Sequence, residues 1–189
     1  MPDLHTTRLR LVPATRALLH ADLESVAALS LALGANVPAS WPPEFYDGDA
    51  IRYMLAWLET HPADGDWSFH YVLQTPREEG SRPIAVGAGG YKGGPDASGA
   101  VEIGYSILPE YRRRGYAREA VDGWLAHAFA DPRVSRVLAH TLPDLHPSTA
   151  VLRSAGFAFV GAGADRQEPT AVQYVLTRET YARRESEPR

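Results

Sequence analysis

The sequence predicts a mixed α/β domain, and three observations carry that expectation. Val101–Leu108, VEIGYSIL, is a mostly apolar run of strand length. Directly after it, Ala117, Ala120, Val121, Trp124, Leu125, Ala128 and Phe129 recur at the spacing of one helix face. Along the whole chain the segments order as β, α, α, three strands, α, β, α and two strands. A sheet with helices between its strands is the architecture such an order implies.

The elements follow from local signals. Arg8–Val12, RLRLV, reads as a first strand ended by Pro13. Thr15–Leu33 reads as one helix, with Leu18, Leu19, Val26 and Leu29 partly periodic and Gly34 as its stop. The next segment, to Asp49, holds Pro38, Trp41, Pro42 and Pro43 and reads as a loop. Asp49 can cap a second helix whose buried side is Ile51, Met54, Leu55 and Leu58. Trp67–Thr75 is a strand, and a charged connection leads to the glycine-rich strand Ile84–Tyr91. The run Gly87-Ala88-Gly89-Gly90 lacks the spacing of a nucleotide loop, so close backbone approach or a bulge is the reading. After the central strand and its helix come a strand at Arg136–Leu142, a short helix at Ser148–Ala155 and strands at Phe157–Gly163 and Ala171–Thr177. A single domain over residues 1–182 is expected, with a charged, disordered tail at 183–189.

Composition narrows the function classes. The chain has 189 residues, enough for a proper core, and 44% hydrophobic residues, ordinary for a soluble protein. A net charge of −4 argues against general nucleic-acid binding. There is no cysteine, which removes disulfides, thiolate metal sites and a cysteine nucleophile. The N-terminus has no apolar core of a signal peptide, and no stretch approaches the ~20 apolar residues of a membrane span. A cytoplasmic protein is expected. His140 and His146 are near in sequence, but no H-x-x-x-H or carboxylate set accompanies them, so no metal site is expected.

The turn Arg112-Arg113-Arg114-Gly115-Tyr116-Ala117 is the most informative motif. It is R-x-x-G-x-A, and it opens the amphipathic helix. Free N–H groups at a helix N-terminus beside three arginines suit a phosphate-bearing ligand. Taken alone, the turn reads equally as an ordinary strand-to-helix connection. Glu102 is the one charged residue of the central strand, and alternation puts Glu102, Gly104 and Ser106 on one face.

The run VEIGYSILPEYRRRGYAREAV, followed by AHTLPDLHPSTAVLRSAGF, resembles the GNAT superfamily of acyl-CoA-dependent N-acetyltransferases. Its closest flavour is the branch containing ribosomal-protein N-terminal acetyltransferases. The resemblance implies a central mixed, splayed sheet of about seven strands with about four helices. It implies acetyl-CoA as co-substrate, and as acceptor a small-molecule amine or a peptide N-terminus. By resemblance, Ile107 and Leu108 offer main-chain contacts to the pantetheine arm. The backbone of Arg113, Arg114, Gly115, Tyr116 and Ala117 would cradle the pyrophosphate, with charge from Arg112 and Arg114. Glu102 corresponds to the base glutamate of related histone acetyltransferases, the other reading being an ion-paired structural glutamate. Many relatives carry an asparagine before the last helix and a tyrosine on it; here His146 stands in for the first, and Leu152 and Arg153 replace the second. Ser148 is then the candidate acid for the leaving thiolate, or simply the helix cap. The resemblance also implies acceptor walls at Trp41, Phe45 and Tyr46 and at Asp165, Arg166 and Glu168; the aromatics read equally as core or homodimer contacts. A non-catalytic acyl-CoA-binding module is the alternative.

Overall fold

A computed structural model describes residues 2–62, 64–76, 78, 80–163 and 170–186. Its centre is an eight-stranded sheet: β1 (Leu4–His5), β2 (Leu9–Pro13), β3 (Phe69–Gln74), β4 (Ile84–Tyr91), β5 (Ala100–Ile107), β6 (Arg136–Thr141), β7 (Ala158–Ala162) and β8 (Val172–Thr177). Their spatial order is β1-β2-β3-β4-β5-β6-β8-β7. All neighbours are antiparallel except β5 and β6, which are parallel. The helices are α1 (Arg16–Glu24), α2 (Val26–Leu33), α3 (Gly48–Thr60), α4 (Tyr116–Ala130), α5 (His146–Ser154) and α6 (Arg178–Ser186).

Two hydrophobic layers cover the sheet. On one face α4 and α5 bury Trp124, Leu125, Phe129 and Leu152 against Val72, Val86, Ile103 and Val137. On the other, α1 to α3 bury Leu19, Leu29, Met54 and Leu58 against Tyr71, Leu73 and Ala88. The periodic face of α4 is buried as its spacing predicts, and a fully buried Trp124 of this kind typically carries ~3–5 kcal/mol. Close approach explains the glycines of β4: a Cβ on Gly89 would sit 2.6 Å from the Trp124 ring.

Three expectations change. The single helix over Thr15–Leu33 is two helices, because Ser25 is extended (φ −172°, ψ 160°) and its hydroxyl accepts from the Ala28 N–H to cap α2. Asp47, not Asp49, caps α3, accepting from the N–H groups of Asp49 and Ala50. The residues read as a tail form the end of α6 as far as Ser186. Tyr181 stacks on Phe129 at 4.7 Å, and Arg184 bonds the Ala155 carbonyl at 2.7 Å and Asp122 at 2.6 Å.

His70, on β3, is 2% exposed beneath α4. Burial, assisted by nearby His127, lowers its pKa from 6.5 to about 3. Below pH 6.5 the unfolded chain therefore takes a proton that the folded chain refuses until about pH 3. Stability contributed by the neutral imidazole is complete above pH 6.5 and is lost as pH falls through that window. Urea unfolding at pH 7 and pH 5 should show a loss of about 2 kcal/mol from this group. His70→Leu should remove that part of the slope; an unaltered slope would contradict the assignment.

Candidate active site

The site begins where two parallel strands part. β5 and β6 are in register only from Ala100↔Arg136 to Ile103↔Ala139. Beyond that point β5 runs on through Gly104 to Ile107, while β6 runs to Thr141 without pairing to it. The other edge of β5 stays bonded to β4 throughout Ile103–Ile107.

Strand parity settles which main-chain groups face the gap. Lys92 N–H donates to Glu102 O at 2.9 Å and Leu108 N–H to Val86 O at 2.9 Å, so even-numbered residues of this strand bond β4. In an antiparallel pair the intervening residues point their N–H and C=O the other way. Tyr105 therefore presents its N–H and C=O to the open side, and Ile107 its N–H, the Ile107 carbonyl being taken by Arg112 Nε at 2.9 Å. Ile107 lies on the parted stretch of β5. The N–H of Leu108 is taken by β4, and its side chain is fully buried. Tyr105 was missed, because parity needs a partner strand that the sequence alone does not supply.

The turn after β5 is built for exposed amides. Arg113 (φ 60°) and Gly115 (φ 82°) are both left-handed, and two such residues within three curl the backbone into a concave loop. The first i→i−4 bond of α4 is Glu119 N–H to Gly115 O at 3.0 Å, so the N–H groups of Tyr116, Ala117 and Arg118 precede it. The turn is held from behind by the connection between β1 and β2. Arg8 donates to the Arg114 carbonyl at 3.0 Å and to Glu119 at 2.7 Å, and Thr6 donates to the same carboxylate at 2.6 Å. Burial works against ionisation of Glu119, but the bonds from Thr6 and Arg8 prevail and hold it below the usual carboxylate range.

The three arginines of the turn are not equivalent. Arg112 folds back, its Nε donating to the Ile107 carbonyl at 2.9 Å and its Nη2 pairing with Glu44 at 2.9 Å. Arg114 donates to the Glu110 carbonyl at 2.9 Å and lies 5.4 Å over the Tyr111 ring. Both are bonded within the turn, Arg112 also to its neighbour Glu44. Arg113 is exposed and pairs with no group among the described residues.

At the far side of the gap, α5 begins. Its N-cap position is Leu145, and Ser148 lies inside the first turn with no capping bond. The cap reading of Ser148 is thereby overturned. Its hydroxyl instead lies 3.3 Å from the Tyr105 hydroxyl, which also donates to the Ser148 carbonyl at 3.2 Å. Burial pushes the Tyr105 hydroxyl up to about 12, the Ser148 bond opposing it. His146 is exposed at the start of the same helix.

Glu102 lies on the face away from α4, on the side of α1 to α3. Its Oε1 is 2.6 Å from Lys92 Nζ and 3.0 Å from His140 Nδ1. Neither approach has hydrogen-bonding angles, so Oε1 and Nδ1 count as buried atoms without a directed partner despite their nearness. A Cβ on Gly104 would be 3.7 Å from Lys92 Cε, so the room beside the carboxylate is taken up by the lysine stem.

Of the aromatic wall, Trp41 and Tyr46 are core. Both donate to Asp22 at 2.8 Å, and Tyr71 donates to the same carboxylate at 3.0 Å. Phe45 between them is 68% exposed in a left-handed conformation (φ 63°). Asp165, Arg166 and Glu168 lie outside the described residues. Among the described residues no three His, Asp or Glu side chains cluster as a metal site would, and no helix is long and apolar enough to cross a membrane.

A parted parallel strand pair with a left-handed turn opening a helix beside it makes a groove that ends at free amides, a setting for a phosphate-bearing ligand. Comparison with known proteins gives the family. Residues 8–158 match the model of the acetyltransferase (GNAT) domain, and the chain belongs to that family. It is an acetyltransferase. Over 155 residues, 82% of this chain and 88% of the relative, it is 29% identical to the uncharacterized N-acetyltransferase YjdG of Bacillus subtilis (strain 168). Its fold is that of an acetyltransferase from Agrobacterium tumefaciens str. C58, at TM-score 0.61 and 21% identity, covering 93% of this chain and 94% of that one. It is also that of the ribosomal L7/L12 alpha-N-protein acetyltransferase RimL in complex with coenzyme A, at TM-score 0.59 and 17% identity, covering 93% and 97%. At these identities the two structures speak for the fold alone. The family uses acetyl-CoA, and the N–H groups of Tyr116, Ala117 and Arg118, ahead of the first bond of α4, suit a phosphate group.

Proposed function

We propose that this protein moves the acetyl group of acetyl-CoA to a primary amine, on a small molecule or at a peptide N-terminus, by direct attack. The observation that carries the reading is the open edge of β5, where Tyr105 and Ile107 turn their main chain toward a gap that ends at a phosphate-type turn. The amides of Arg113 to Ala117 and the Arg113 guanidinium hold the pyrophosphate. Ile107 and Tyr105 hold the pantetheine arm, and His146 stands at the α5 side of the gap.

The thioester supplies an activated acetyl group and a thiolate, with a pKa near ~8.5, that leaves without strong assistance. The amine must be neutral to attack, and Glu102 takes its proton. At ~3.4 Å per residue the carboxylate lies about 10 Å along the strand from Tyr105, so the proton crosses through water. The Tyr105 hydroxyl, pushed up to about 12, stays protonated and is too weak an acid to neutralise the thiolate outright. With Ser148 it acts as a hydrogen-bond donor to the developing charge. With no cysteine in the chain, a thioester intermediate on the enzyme is excluded.

The test offers the protein acetyl-CoA together with small primary amines and peptides bearing free N-termini, and follows thiol release and acceptor mass. One acetylated amine per thiol released is expected. Thiol release with no acetylated amine would overturn the reading.

A further inference from the structure

The carboxylate of Glu102 is held asymmetrically. Lys92 and His140 both approach Oε1, at 2.6 and 3.0 Å, while Oε2 has no partner among the described residues. The two holders differ. The Lys92 side chain is 46% exposed on a flexible stem. The His140 side chain is 9% exposed and held on two sides. Its Nε2 lies 3.2 Å from Gln173 Nε2, across the β6–β8 pair in which His140 and Gln173 are direct partners. Its ring edge rests on Gly163, where a Cβ would come within 2.5 Å of Cδ2.

With the Gln173 amide nitrogen turned toward the ring, its contact selects the tautomer. An amide nitrogen only donates, so Nε2 accepts from Gln173, and in the neutral ring Nδ1 then carries the hydrogen. Nδ1 lies 3.0 Å from Glu102 Oε1, close but off the line of a hydrogen bond.

We infer that His140 is the positioning residue of this site: held by Gln173 and Gly163, it fixes Oε1 of Glu102 so that Oε2 faces the water that carries the amine's proton. The inference rests on Glu102 being the base proposed above. His140 touches neither the amine nor the thioester; its effect runs through the carboxylate. The groups facing it are Glu102 from β5 and Gln173 from β8, with Lys92, just past β4, on the far side of the shared oxygen.

The experiment compares His140→Asn with His140→Gln, because both are polar and neutral but differ in where the amide lands. The asparagine amide occupies the place of Nδ1 and can donate to Oε1; the glutamine amide reaches toward Nε2 and cannot. A misplaced catalytic group of this kind typically costs ~10²-fold. His140→Gln should lower kcat by about 10- to 100-fold with KM for acetyl-CoA unchanged, and His140→Asn should keep most of the wild-type kcat. In a Glu102→Gln background, neither change should lower kcat further. Equal rates for the two variants, or an undiminished His140→Gln effect without Glu102, would overturn the positioning role. Wild-type turnover in Glu102→Gln alone would instead overturn the base assignment, and this inference with it.

Discussion

Glu102→Gln should lower kcat by about 10²–10⁴-fold, the usual contribution of a general base, while leaving the affinity for acetyl-CoA unchanged. The glutamine keeps the size of the side chain and its place on β5, so packing is not the variable. Only the capacity to take a proton is lost. The 2.6 Å contact with Lys92 makes the prediction more demanding. A purely structural ion pair in the same place would show its loss in melting temperature and not in turnover. A loss under about threefold would reduce Glu102 to that structural role.

Gly115→Val should weaken acetyl-CoA binding by at least about tenfold. Gly115 has φ 82°, and a β-branched residue there carries the left-handed penalty of roughly 1–2 kcal/mol per residue. Its Cβ would also press on Arg8 Nη2 at 3.2 Å, the group that ties the Arg114 carbonyl and Glu119. The turn can relieve both strains only by rotating its amides away from the concave side. A penalty near ~1.4 kcal/mol taken from binding is a factor of ten in Kd. Calorimetric titration with acetyl-CoA checks this, with circular dichroism confirming the fold. Unchanged affinity in a folded variant would mean that the turn does not hold the coenzyme.

The parts of this molecule legible from sequence are those whose signal is local. The face of α4 is written in a 3.6-residue period, and the run VEIGYSIL is bounded by a glycine turn and a proline. Both elements fall within a residue or two of expectation. The break at Ser25 was hidden because the apolar spacing continues across it, and serine reads as an N-cap only once the backbone is known to be extended there. The end of α6 was hidden for the opposite reason. RETYARRES has no apolar face, and its order comes from partners far away: Arg178 bonds the carbonyls of Phe129, Asp131 and Val134, and Arg184 bonds Ala155 and Asp122.

The site divides in the same way. Glu102 stood out as a lone charge in an apolar strand, and Gly115 as a glycine opening a helix. Lys92, His140 and Gln173 did not, since each becomes significant only when β4, β6 and β8 are laid beside β5. The roles of Arg112 and Arg114 depended on side-chain direction, which three adjacent arginines leave open. Ser148 was read as a cap because helix starts are placed from sequence only to within two residues or so, and here the helix begins at His146.

The claim at the centre of this account is that acetyl-CoA lies in the gap between β5 and β6 with its phosphates on the turn. Amide-resolved hydrogen exchange, with and without acetyl-CoA, tests it most directly. Slowed exchange is expected at Tyr105, Ile107 and Arg113 through Arg118, whose N–H groups face the gap or the concave turn. Leu108 should not change, because its N–H is already bonded to Val86. Protection confined to other surfaces, with Tyr105, Ile107 and the turn unaffected at saturating acetyl-CoA, would contradict the account.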